Sequence, residues 1–400
     1  MGIFFSLSDI YCMMIIFRIT LKNGGTMKNL KTLSVFILTF FILTNVSMAK
    51  KHNEKPLIQM AILLDTSGSM QGLIEQAKTQ LWKIVNEMAL AKQKNRSPRL
   101  EVALYEYGKS SIPASEGYMR MIVPLSEDLD QISDELFKLR TNGGSEYCGQ
   151  VIQKSVANLK WNRNNNVLKV IFIAGNEPFT QGRVDYRTSC KNSISKGIIV
   201  NTIFCGNYQT GIRTNWKDGA VLADGKYMNI DHNQRIVHIK APQDKEIVKL
   251  GMELNKTYIG YGKAGEIKKE RQKRQDKNAM TVDEEVMVQR SVTKSSKQYS
   301  NTGWDLVDAV KEGKIKVEDM KHEELPSEMK KLNKKERKEY IDKKRKEREE
   351  IQKRINKLKK DRDKYTSEKR KKISNDNTLD AAMIKAIREQ AEKKNFKFKK

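Results

Sequence analysis

Three oxygen-bearing side chains, Asp65, Ser67 and Ser69, stand at alternate positions directly after an apolar run. A tight turn at this point can direct one carboxylate and two hydroxyls to the same side. Mg²⁺ prefers oxygen ligands in octahedral geometry and keeps several waters, so this set would form only part of its coordination shell. The spacing therefore predicts an incomplete divalent-metal site that the carboxylate of a ligand could complete.

The elements that must position this loop are alternating strands and helices. Leu57 to Asp65 is predicted to be a strand, and Gln71 to Ala91 has apolar residues at helical spacing on one face. The other predicted elements are a hairpin of 100–108 and 119–125, helices marked by 132–139 and 151–159, neighbouring strands at 167–174 and 198–205, a last strand at 227–230 and a helix at 242–254. This alternation predicts an α/β fold with a mainly parallel central sheet flanked by helices, within a globular part of residues 50–265.

The segment from Ile62 to Met70 resembles the metal-ion-dependent adhesion site of von Willebrand factor A domains. The resemblance covers about residues 57–231, including Gly143-Gly144-Ser145 ahead of a helix. It implies a Rossmann-like domain that binds an acidic side chain of a partner protein, with Mg²⁺ or Mn²⁺ as the cofactor. By position it implies that Asp65, Ser67 and Ser69 are the first-loop ligands and that Ser145 replaces the second-loop threonine.

The third loop departs from the family pattern. The family usually has an acidic residue at this strand end, where the chain has Gly175 and Asn176, and Glu177 comes late. Glu177 could reach the metal directly or through water, and Glu146 could supply negative charge from the second loop. The resemblance thus implies either a metal site completed by a ligand or a hydrogen-bonded vestigial turn.

Enzyme interpretations of the same residues are weaker. Asp65-Thr66-Ser67-Gly68 resembles the Asp-Thr-Gly of aspartic proteases with one residue inserted, but no second copy would provide the paired carboxylate. Residues 72–79 lack the second glycine of a phosphate-binding loop. No histidine lies in a motif that would deprotonate Ser67 or Ser69. We therefore expect a binding module without catalytic activity.

Met27 to Ala49 has the three parts of a secretory signal peptide, with an apolar stretch from Thr32 to Val46. That stretch is shorter than the ~20 residues a membrane span needs. We expect cleavage after Ala49 and export to the periplasm or out of the cell. Residues 1–26 then indicate an over-long start assignment, with a hydrophobic anchor as the alternative. Sequencing the mature amino terminus tests these expectations.

Three cysteines, Cys148, Cys190 and Cys205, follow the predicted signal peptide. In an oxidising compartment they permit at most one internal disulfide, and three small buried thiols are the alternative. No Cys-x-x-Cys pair is present and the four histidines are scattered, so a zinc site is not expected.

The formal net charge of +27 predicts attraction to anionic surfaces or polyanions that weakens as salt is added. Tyr340 and Tyr365 stand almost alone as aromatic residues in the basic region, so stacking platforms for nucleic-acid bases are nearly absent. Nucleic acid is therefore the least favoured of the anionic partners.

Composition turns polar from Glu266. Residues 266–329 are expected to form a polar linker with helical fragments, and 330–400 a charged helical tail. Written as heptads, the tail has a seam of Ile341, Lys344, Arg348, Ile351, Ile355, Leu358, Arg362 and Tyr365. A solvated single helix, a helix folded back on 379–391 and an oligomeric coiled coil all fit this half-apolar seam.

These observations give two functional hypotheses. The first is an exported adaptor that binds protein partners through the metal site, with a basic tail that contacts an anionic surface. The alternative is a metal-independent structural protein of the cell envelope with a self-associating helical tail.

Overall fold

The computed structural model describes residues 55–230, 239–373 and 379–398, without the side chains of 370–373 and 379–382. The predicted signal peptide and the residues before it lie outside the described residues.

Six strands form one sheet in the order β4-β3-β1-β5-β6-β7. All neighbouring strands are parallel except β3 and β4, which are antiparallel. The strands are β1 (Leu57–Asp65), β3 (Arg99–Tyr107), β4 (Met119–Ser126), β5 (Leu168–Gly175), β6 (Ile198–Cys205) and β7 (Tyr227–Ile230), while β2 (Ala91–Lys92) belongs to a separate pair. This architecture confirms the predicted fold class.

Helices cover both faces of the sheet. The central strands are continuous apolar runs because they are buried on both faces, as β5 is along its whole length. Up to β7 the helices are α1 (Gln71–Leu90), α2 (Leu129–Lys138), α3 (Cys148–Asn158), α4 (Tyr186–Ser195), α5 (Tyr208–Arg213) and α6 (Trp216–Val221). One core lies between the sheet and α1, and another between the sheet and α3, α4 and α6.

A helical region follows the sheet. Its helices are α7 (Asp244–Asn255), α8 (Gly262–Val282), α9 (Glu284–Lys294), α10 (Leu306–Lys311), α11 (Lys334–Ile373) and α12 (Leu379–Glu392), and it ends in the short strand β8 (Lys397–Phe398). Strand β8 pairs antiparallel with β2, and α12 contacts α1 and β7. In the ranges that the structure describes, no helix is long and apolar enough to cross a membrane.

Residues 266–329 are not a polar linker, and the globular part does not end near 265. Helices α8 and α9 pack on each other and on α2, α1 and α7. Their buried side chains include a group that we call the ion cluster: Asp130 of α2, Asp276 of α8, and Arg290 and Lys294 of α9. Apolar residues of α9 such as Val286 and Met287 are buried here as well. Hydropathy does not reveal the ion cluster, because its buried residues are charged and neutralise one another.

The ion cluster is tightly connected. Arg290 donates to Asp130 at 2.7 Å and to Asp276 at 2.6 Å, and Lys294 donates to Asp276 at 2.8 Å. The Arg290 guanidinium also lies 4.8 Å from the centre of the Trp82 ring. The cluster therefore links the helical region to the helices that cover the sheet.

The heptad seam of α11 packs against the chain's own domain. Ile341 and Ile355 are buried, and so are the two arginines that break the apolar pattern. Arg348 donates to Asp305 at 2.7 Å and to Asp308 at 2.8 Å, and Arg362 pairs with Asp244 and Glu285. The predicted seam is the buried face of α11. The predictions of a solvated single helix and of an oligomeric coiled coil on that seam are wrong, because acidic residues of the same chain neutralise its arginines.

Cys148, Cys190 and Cys205 are buried and free of disulfide bonds. Of the two alternatives for these residues, the structure shows the buried thiols. Burial raises the pKa of the Cys190 thiol to about 12, so at neutral pH it is protonated.

Candidate functional site

The candidate site lies at the carboxyl edge of the sheet, where β1 and β5 end and the loop before α3 begins. Asp65 ends β1, is fully buried and accepts a hydrogen bond of 2.7 Å from the backbone N–H of Ser67. The next residue, Thr66, donates its backbone N–H to the carbonyl of Tyr107 at 2.8 Å, and its carbonyl accepts from Asn142 N–H at 2.9 Å. The turn is thus fixed on both sides.

Four buried oxygen atoms in this region have no hydrogen-bond partner: Asp65 Oδ2, Ser67 Oγ, Glu146 Oε2 and Asn176 Oδ1. We call these four residues the loop site. A buried polar atom without a partner costs about 1 to 3 kcal/mol, and native structures contain few of them. Because four of them come together here from three different loops, this region is the candidate site for a cation or a ligand.

Electrostatics at the loop site are unfavourable without a cation. Burial and the neighbouring carboxyl group of Asp65 raise the pKa of Glu146 to about 9. Burial also raises the pKa of Asp65, and the nearby charge of Glu177 adds to the increase. Two adjacent carboxyl groups with raised pKa values resist ionisation together, and a bound divalent cation would reverse that preference.

The donor set fits a hard cation. It consists of carboxylate, hydroxyl and amide oxygens, which suit Mg²⁺ or Mn²⁺ better than zinc or copper. Across the described ranges, no group of three or more His, Cys, Asp or Glu side chains is placed to hold a metal ion. The loop site contributes only two carboxylates, so its other ligands would be hydroxyl, amide, water or partner oxygens.

The five residues identified from the sequence take different places. Asp65 and Ser67 are buried in the loop site, whereas Ser69 is exposed and its hydroxyl accepts from Asn176 Nδ2 at 3.1 Å. Ser145 is half-buried and directly precedes Glu146, whose carboxyl group lies close to Asp65 and Ser67. Glu177 is half-buried and adds negative charge near Asp65. Glu146, which was expected only to supply negative charge from the second loop, is the residue of that loop whose carboxyl group is buried at the loop site.

Tyr107 occupies the space that a side chain at position 175 would need. A Cβ atom added at Gly175 would lie 2.5 Å from the Tyr107 hydroxyl and 3.1 Å from Asp65 Oδ2. Tyr107 is fully buried, and its hydroxyl donates to the carbonyl of Ala174 at 2.9 Å. An aspartate at 175 would therefore displace the Tyr107 side chain. The second carboxyl group of the loop site belongs to Glu146. This role of Tyr107 was not predicted from the sequence, because Tyr107 is the last residue of a strand with an apolar pattern.

Residues 59–211 match the model of the von Willebrand factor type A domain. The chain therefore contains a von Willebrand factor type A (VWA) domain, as the resemblance of the first loop predicted. Comparison with curated proteins gave no match.

Solved structures with a similar fold include two from Bacteroides. The conserved hypothetical protein BatB from Bacteroides thetaiotaomicron has 15% identity and a TM-score of 0.33, and the match covers 44% of this chain and 90% of that one. An aerotolerance-related membrane protein from Bacteroides fragilis NCTC 9343 has 15% identity and a TM-score of 0.30, covering 44% and 92%. Proximal thread matrix protein 1 from the mussel byssus, with a zinc-occupied MIDAS motif, has 11% identity and a TM-score of 0.32, covering 45% and 43%.

Proposed function

We propose that this chain is an exported, non-catalytic binding protein whose VWA domain holds a divalent cation and recognises a carboxylate of a protein partner. The observation that carries the proposal is the set of four buried, unpaired oxygens at the loop site. VWA domains are commonly protein-binding modules, which supports the class of partner.

Asp65, Ser67 and Glu146 would hold the cation, and Ser69, Ser145 and Glu177 lie close enough in the chain to contribute through water. When bound, Mg²⁺ or Mn²⁺ would supply positive charge that attracts an acidic side chain of the partner. Asp65 and Glu146 offer two negative charges against the two positive charges of the ion. A partner carboxylate would then supply the direct ligand that Gly175 does not provide at the third loop.

The helical region supplies a second part of the proposal. Lysine and arginine outnumber acidic residues in this region, and their side chains would contact an anionic partner at a surface separate from the loop site. Self-association through the α11 seam is not available for this purpose, because the seam residues Ile341, Arg348 and Ile355 are buried against the same chain.

Metal binding is tested by thermal unfolding of the full chain in EDTA and in millimolar Mg²⁺ or Mn²⁺. A ligand at 100 times its dissociation constant stabilises the folded state by about 2.7 kcal/mol, so the midpoint should rise by several degrees. Asp65→Asn should abolish the rise. Asp224→Asn is the matched control, because Asp224 is exposed in the turn before β7 and its φ of 54° suits asparagine.

The metal-independent scaffold is the competing outcome. It would be supported if neither ion shifted the midpoint of the parent, or if Asp65→Asn kept the same shift as Asp224→Asn. In that case the VWA fold would serve only to hold the helical region in place.

A further inference from the structure

The outward face of α11 carries a single file of lysines that we call the lysine stripe: Lys343, Lys346, Lys353, Lys357, Lys360 and Lys364. All six side chains are exposed. Successive members are three, four or seven residues apart, so they lie on one face of the helix. With a rise of about 1.5 Å per residue, the file is about 30 Å long.

The charge of the lysine stripe is largely uncompensated within the described residues. Acidic residues on the flanks of α11 pair with other cations: Glu347 with Lys344, Asp363 with Lys359, and Glu349 with Arg345 and Lys311. In the part of the chain that the structure describes, none of the six stripe lysines forms an ion pair. Only Glu350 interrupts the file. The stripe is therefore a narrow positive line between flanks whose charges are largely compensated.

The opposite face of α11 holds the lysine stripe in a fixed orientation. Ile355 is fully buried, and Arg348 and Arg362 are anchored by buried carboxylates. The stripe is thus presented on a rigid rod, and little ordering entropy of the backbone is lost when a ligand binds.

The shape and chemistry of the stripe select among anionic partners. A helix that lies in a bilayer surface inserts an apolar face, but the apolar face of α11 is already buried in the protein. Single-stranded nucleic acid is bound by basic grooves with aromatic stacking platforms, and the stripe has no aromatic member. Consecutive lysines place a charge about every 5 to 6 Å along most of the file, which suits a flexible chain with one negative charge per unit.

We propose that the lysine stripe binds a linear phosphate-bearing polyanion without bases, which lies along α11. This inference rests on the proposed binding role of the helical region and does not depend on a metal at the loop site.

The experiment uses the full chain, with long-chain inorganic polyphosphate as the probe, in EDTA so that the loop site does not contribute. The stripe variant is Lys353→Gln, Lys357→Gln, Lys360→Gln, because glutamine preserves helix propensity. The control is Lys154→Gln, Lys191→Gln, Lys217→Gln, which removes the same charge from exposed positions on α3, α4 and α6. Affinity is measured over a range of salt concentrations.

We expect the stripe variant to bind polyphosphate about tenfold or more weakly than the parent, with a salt dependence whose slope is smaller by about three. The control should stay within about twofold of the parent, since long-range attraction is screened. Circular dichroism should be unchanged in both variants, because all six substituted side chains are exposed.

Four results would overturn the proposal. The parent fails to retain polyphosphate; both triple variants lose affinity equally, which indicates diffuse attraction; vesicles of phosphatidylglycerol bind while polyphosphate does not; or single-stranded oligothymidine binds more tightly than polyphosphate. Each of these is independent of the thermal shift by Mg²⁺, so failure of the stripe and failure of the metal site are distinguishable.

Discussion

The loop site and the ion cluster are both buried and both charged, yet they are opposites in how their charges are met. In the ion cluster, the carboxylates of Asp130 and Asp276 face the cations of Arg290 and Lys294 at distances of 2.6 to 2.8 Å. In the loop site, Asp65 and Glu146 face each other, and no described cation pairs with either. One region is neutralised within the chain, and the other has no counter-charge among the described residues.

The pKa values follow the same division. Burial opposes ionisation of Asp276, but the charges of Lys294 and Arg290 outweigh it and hold the pKa of Asp276 below its ordinary value. Burial and the neighbouring Asp65 raise the pKa of Glu146 to about 9. Opposite charges therefore compensate burial in the ion cluster, whereas among the described residues the loop site has no such compensation.

The largest effect should come from making the ion cluster resemble the loop site. Arg290→Met leaves Asp130 and Asp276 buried with only Lys294 to compensate them, and loss of one partner of a buried pair costs about 3 to 5 kcal/mol. We expect the free energy of unfolding to fall by that amount in urea titrations followed by circular dichroism. Lys277→Met, on the exposed side of α8, is the control and should change stability by less than about 0.5 kcal/mol. A small change for Arg290→Met would mean that the cluster does not hold the helical region in place.

The sequence predicted the first strand and the loop after it better than the helical region. The bounds of β1 are those expected, and Asp65 and Ser67 lie together, because a local apolar run followed by a polar turn determines both. Tyr107 could not be predicted as the residue that excludes a side chain at 175, because that contact joins two strands through the fold.

In the helical region the heptad register was predictable but its partner was not. Arg348 counted against a packed seam because an arginine is normally solvated. Its partner Asp305 lies 43 residues earlier, and nothing local in the sequence connects the two. Charge pairing across such separations defines α11 as part of the domain, and hydropathy has no means of detecting it.

On the side of the loop site the sign of the effect should reverse. Glu146→Gln removes a carboxyl group whose ionisation the folded state opposes, so the metal-free protein should gain on the order of 1 kcal/mol in unfolding free energy at neutral pH. The same change should weaken the thermal shift by Mg²⁺ or Mn²⁺. Glu116→Gln, at an exposed position, is the control. If Glu146→Gln destabilised the metal-free protein, Glu146 would be a satisfied structural residue and the comparison between the two regions would fail.

The smallest effect concerns Asp134, whose charge pairing is intermediate between that of the ion cluster and that of the loop site. It is buried, but its cation partners Arg274 and Lys138 are about half exposed, at 53% and 58%. Burial raises its pKa, yet hydrogen bonds from Lys138 and Arg274 outweigh burial and hold the pKa below 3.8. A carboxyl group with a depressed folded-state pKa contributes stability above its unfolded pKa, and that stability is lost as the pH falls further.

Asp134→Asn should therefore cost about 1 kcal/mol at neutral pH, because its partners can be resolvated by water. The deficit relative to the parent should shrink as the pH falls below 3.8, which urea titrations from about pH 6 to about pH 3 can measure. If the loss of stability in Asp134→Asn were constant across this range, it would come from the hydrogen-bond geometry of the asparagine amide. Charge pairing would then not be what Asp134 contributes.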